Sequence, residues 1–107
     1  MKPESDYNSP ELNRAAEVAG DVARVARSLF GKDTEVMWFG SWPQGKATPR
    51  SDIDVAVSTG SVISPERMAV LREAVDELPT LYAVDVVDLN ATGPILRDEI
   101  LKHGQRL

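Results

Sequence analysis

The chain has 107 residues, no cysteine and a net charge of −5. That length allows one modest core and a single domain, and the missing cysteines exclude disulfides and thiolate zinc sites. The acidic balance argues against a broad footprint on nucleic acid, and no apolar run has the length of a signal peptide or membrane span. The expectation is a soluble cytoplasmic protein with no membrane or nucleic-acid partner.

Residues 1–8 are polar and aperiodic and read as a flexible terminus, leaving residues 9–107 as the domain. Ser9-Pro10-Glu11 is a helix start: a capping hydroxyl, proline at the first helical position, then an acid at the positive end of the dipole. The helix should run from Pro10 to Phe30, with Leu12, Ala15, Ala16, Ala19, Val22, Ala26 and Leu29 on its apolar stripe and Gly31 closing it. Glu35 to Phe39 reads as a buried first strand ending in a Gly40-Ser41 turn, and Trp42 to Gly45 as a short helix. Lys46 to Ser51 is a loop, and Asp52 to Ser58 the second strand.

Ser64-Pro65-Glu66 repeats the helix-start chemistry. That helix should reach Leu78, bury Met68, Leu71, Val75 and Leu78, and stop at Pro79. Leu81 to Leu89 is the third strand. Pro94 opens a last helix to His103, with Ile95, Leu96, Ile100 and Leu101 as its apolar side and Gly104 as its end. The order is that of a small α/β domain, helices covering a mixed three-stranded sheet.

The chemistry gathers between Phe39 and Val57. Alternation along a strand puts Asp52 and Asp54 on one face. Two adjacent carboxylates repel each other, and a divalent cation such as Mg²⁺, which prefers hard oxygen ligands, relieves that repulsion. Gly40 and Ser41 offer backbone N–H groups and a hydroxyl to a phosphate. A third carboxylate has two candidates, Asp85 and Asp88, which point to opposite faces because three positions separate them. Asp85 is preferred, because it lies inside the apolar run Ala83 to Val87, whereas Asp88 at the strand end is easily capped.

Gly-Ser, ten intervening residues, then Asp-x-Asp resembles the signature of the nucleotidyltransferase superfamily that includes DNA polymerase beta. In so short a chain it looks like a minimal nucleotidyltransferase, the kind often encoded beside a helical HEPN partner as its antitoxin. The resemblance spans roughly residues 35 to 103 and implies the polymerase beta-like α/β core. It implies Asp52, Asp54 and Asp85 as catalytic residues and ligands of two Mg²⁺ ions, with Gly40, Ser41 and Ser51 at the nucleotide. By itself Ser51-Asp52 reads as a turn or strand cap.

The implied reaction moves a nucleoside monophosphate, AMP from ATP, onto a protein acceptor, a HEPN-type toxin. The sequence leaves open whether Asp85 also takes the acceptor's proton, and whether the chain forms homo- or hetero-oligomers. One departure stands out. Family members carry arginine soon after Gly-Ser, where this chain has Trp42, Pro43 and Gln44. Lys46 and Arg50 are the loop cations available instead, and Trp42 reads as a partly buried aromatic. The departure keeps two alternatives: a catalytically weak antitoxin that acts by binding, and a subunit of a small-molecule nucleotidyltransferase.

Overall fold

The computed structural model describes residues 10–107. The expected flexible terminus and the Ser9 cap lie outside them. Helix α1 spans Pro10–Phe30, strand β1 Glu35–Phe39, β2 Ile53–Ser58, helix α2 Pro65–Asp76, β3 Val84–Asp88, helix α3 Pro94–His103 and β4 Gln105–Arg106. A single 3₁₀ turn, Leu89–Ala91, joins β3 to α3. No helix among the described residues is long and apolar enough to cross a membrane.

The sheet is mixed, in the order β3-β2-β1-β4. Strand β2 runs parallel to β3 and antiparallel to β1, which makes these three strands the mixed sheet expected. The fourth strand is a correction. Gln105 and Arg106 pair with Trp38 and Met37, and Leu107 N–H donates to Val36 O at 2.9 Å. Arg27 fastens this edge from α1, donating from Nη2 to Leu107 O at 2.8 Å and from Nε to Thr34 O at 3.1 Å. Two residues carry no readable alternation, so this pairing exists only through its neighbours.

Alternation gives the sheet two apolar faces. Val36 and Trp38 of β1, Ile53, Val55 and Val57 of β2 and Val86 of β3 form the larger core with α1 and α2. Fully buried side chains there, such as Ile53 and Leu71, each contribute about 1.5–3 kcal/mol. Met37, Ala56, Leu89 and Ile100 form the smaller core under α3, with Phe39 and Val87 packed against it.

Helix α1 has the expected length, but its buried set is Ala15, Ala19, Val22, Ala23 and Ala26. Ala16 and Leu29 of the expected stripe are exposed. Helix α2 is capped by Ser64, whose hydroxyl accepts from Arg67 N–H, and buries Met68, Leu71 and Val75. It ends at Asp76, short of Leu78, which is half-buried. Helix α3 has the expected bounds but buries only Ile100, leaving Ile95, Leu96 and Leu101 exposed. At about 100° per residue Ile95 and Ile100 lie too far apart around the axis to share one narrow contact.

Candidate active site

Strand β2 puts Ile53, Val55 and Val57 into the larger core, so Asp54 shares the opposite face with Ala56. Asp52 falls on that face too, one residue before the strand begins. Strand β3 puts Val86 into the larger core and so turns Asp85 to the same side as Asp54. The register then sets Phe39, Asp54 and Asp85 in one line across three strands: Phe39 opposite Asp54, and Asp54 opposite Asp85.

The third carboxylate is thus brought beside the pair, while Asp88 does other work. Asp88 is buried and accepts from Ile63 N–H at 2.7 Å and Asn90 N–H at 3.0 Å. It pins the loop after β2 and caps the turn after β3.

Strand β3 is shorter than expected, because β2 begins at Ile53 and offers Leu81 and Tyr82 nothing to pair with. Ile53 N–H still reaches Ala83 O at 2.9 Å.

Three like charges on one face have an electrostatic cost. Burial raises the Asp54 pKa to about 6, with the charges of Asp85 and then Asp52 adding to the rise. Among the described residues no ion pair reaches Asp52, Asp54 or Asp85. Among those residues no three His, Cys, Asp or Glu side chains are grouped closely enough to hold one ion together. The donors are hard oxygens, mutually repelling and free of a protein cation, which suits a divalent ion such as Mg²⁺.

The Gly-Ser turn adjoins this row directly. Gly40 has φ +87°, and a Cβ built there would collide with Asp54 Oδ2. Only glycine lets the backbone lie against the carboxylate. Ser41 follows, half-buried.

The stretch expected as a short helix is instead a closed turn. Gly45 N–H bonds to Trp42 O at 3.1 Å and Lys46 N–H to Ser41 O at 2.9 Å, with Gly45 at φ +72° reversing the chain. Ser51 closes the next turn, its Oγ accepting from Thr48 N–H at 2.8 Å.

Trp42 is buried at 7% exposure. Its Nε1–H donates to Ser51 O at 3.2 Å, and its ring meets Tyr82 edge-on at 5.9 Å. Tyr82 in turn donates from its hydroxyl to Glu11 O at 3.3 Å. One indole therefore ties the Gly-Ser turn to the residue before Asp52 and to the approach of β3. The sequence marks Trp42 as a partly buried aromatic but not as this strut, which needs the packing of three loops. Phe39 beside Asp54 also escapes a reading by motif, because it depends on strand register.

No curated protein matches the chain. Solved structures do. A toxin-antitoxin complex with AMP-PNP is similar at 26% identity and TM-score 0.62, over 82% of this chain and 70% of that one. A mutant of the toxin-antitoxin MntA-HpeT aligns at 21% identity and TM-score 0.65, over 82% and 70%. A tri-AMPylated Shewanella oneidensis HEPN toxin in complex with MNT antitoxin aligns at 22% and 0.58, over 86% and 70%. At 21–22% the likeness shows the polymerase beta-like fold. The family model for polymerase beta nucleotidyltransferases matches residues 21–107, from the middle of α1 to the end of the sheet. The chain, with its carboxylate row where the strands begin, belongs to the polymerase beta nucleotidyltransferase family.

Proposed function

We propose that this protein is a Mg²⁺-dependent transferase that moves AMP from ATP to a hydroxyl on a HEPN-type partner and so acts as its antitoxin. The observation that carries the reading is the contact of Gly40 with Asp54, itself in register with Asp85. A phosphate cradle and an acidic row then share one edge of the sheet. The solved complexes with AMP-PNP and with an AMPylated HEPN toxin support the choice of nucleotide and acceptor.

In the reaction the acceptor oxygen bonds to the α-phosphorus, and the bond from that phosphorus to pyrophosphate breaks. Divalent ions held by Asp52, Asp54 and Asp85 would supply the charge neutralisation such an in-line displacement needs. Gly40 and Ser41 hold phosphate oxygens through N–H and hydroxyl groups, and Ser51 keeps the loop before Asp52 in shape. Asp85, exposed at the end of the row, would accept the hydroxyl proton.

The test is incubation of the chain and its co-encoded partner with labelled ATP and Mg²⁺. Label should appear on the partner with the wild type and not with Asp52→Asn/Asp54→Asn. Equal labelling, or none with either, removes the proposal.

A second reading, neutralisation by binding alone, is favoured by Trp42, whose burial removes the position where the family resemblance implies a phosphate-gripping arginine. If the double variant still protects cells from the partner, binding suffices.

A further inference from the structure

The burial of Trp42 raises the question of which cation meets the triphosphate. A tetra-anion arriving at Gly40 and Ser41 also meets three carboxylates. A protein cation near the turn would offset that repulsion and orient the phosphates. Position 42 cannot supply it, because its side chain is held in the core by Ser51 O and the Tyr82 ring.

The connecting loop holds two cations, Lys46 and Arg50, which lie in two successive turns. Lys46 is folded back onto the cradle, its N–H on the carbonyl of Ser41 at 2.9 Å. Its side chain is exposed and joins no ion pair among the described residues. Arg50 belongs to the next turn, its N–H on Thr48 Oγ1 at 3.4 Å. Its neighbour Pro49 lines a cavity with Glu11, Arg14 and Val18 of α1, the helix that covers the sheet face opposite the acids.

We propose that Lys46 is the triphosphate-binding cation of this protein, brought to the Gly-Ser turn by the closed turn because the buried Trp42 leaves position 42 without a charge. A lysine acts here as a mobile point charge on a flexible stem, where arginine would act as a fixed fork. The inference rests on the nucleotidyltransferase reading and deepens it.

The test is equilibrium binding of AMP-PNP with Mg²⁺ to the full chain, measured by calorimetry. Lys46→Ala should weaken binding about tenfold or more, the worth of a lost charge-assisted hydrogen bond. Lys46→Arg should keep most of the affinity. Arg50→Ala should bind like wild type. So should Lys32→Ala, which removes the same charge beyond the far end of β1. Because Lys46 is exposed, Lys46→Ala should unfold at the wild-type temperature. Wild-type affinity in Lys46→Ala overturns the inference, as does an equal loss in Lys32→Ala or a loss in Arg50→Ala alone. If the wild type binds no AMP-PNP, the nucleotidyltransferase reading itself fails and Lys46 falls with it.

Discussion

Gly40 lies so close to Asp54 that a single added carbon would strike the carboxylate oxygen Oδ2. The turn that would take phosphate and the residue that would take metal are thus one packing unit. Gly40→Ala should strain the positive-φ backbone, at a cost of about 1 kcal/mol or more, and push Asp54 aside. The expected result is a folded protein with a lower melting temperature and little further stabilisation by Mg²⁺. Thermal unfolding with and without the ion measures both, and a wild-type Mg²⁺ response would show the contact to be dispensable.

The raised pKa of Asp54 fixes a direction for stability against pH. The folded state holds this proton up to about pH 6, the unfolded state only to the ordinary aspartate range. The folded protein therefore binds more protons between those limits, and stability falls as pH rises through them. Below the window the contribution is fully present, and above pH 6 it is gone. Asp54→Asn should stabilise the metal-free protein at pH 7 by on the order of 1 kcal/mol, after discounting for solvent screening. The gain should vanish near pH 4, and chemical denaturation at the two pH values decides it.

Added Mg²⁺ should act in the opposite sense. Protons and metal compete for Asp54, so the rise in melting temperature with Mg²⁺ should be larger at pH 8 than at pH 5.5. Asp52→Asn/Asp54→Asn should show no rise at either pH. A pH-independent shift would place the ion away from Asp54.

Asp85 and Asp88 should separate cleanly by substitution. Asp88→Ala strands the N–H groups of buried Ile63 and half-buried Asn90 and should cost about 2–3 kcal/mol. Asp85→Asn should cost little stability, because Asp85 is exposed and its charge opposes that of Asp54. Paired melts test this, and the reverse ranking would mean that the roles of the two are exchanged.

Trp42 should behave as core. Trp42→Phe keeps most of the ring and loses the bond to Ser51, so about 1 kcal/mol is expected; Trp42→Ala should cost about 3–5 kcal/mol. Trp42→Arg, although it supplies the arginine that the family resemblance implies, should destabilise the fold and not improve nucleotide binding. Melting curves and AMP-PNP titration of the same variants check both halves.

Much of this protein is determined locally. The Ser64-Pro65-Glu66 start, the Gly31 cap with its φ of +113° and the proline at the head of α3 place helix ends through short-range chemistry. Strict alternation likewise assigns Asp52 and Asp54 to one face and divides Asp85 from Asp88, because a strand has a period of two wherever it lies. Tertiary structure alone decided the rest. It fixed the register that sets Asp54 against Asp85, the two-residue edge strand at Gln105 and the indole strut at Trp42. It also decided that Ile100, and not Ile95, Leu96 or Leu101, is buried. Each of these depends on which distant segments meet, and that is set by the summed burial of the whole core rather than by neighbours along the chain.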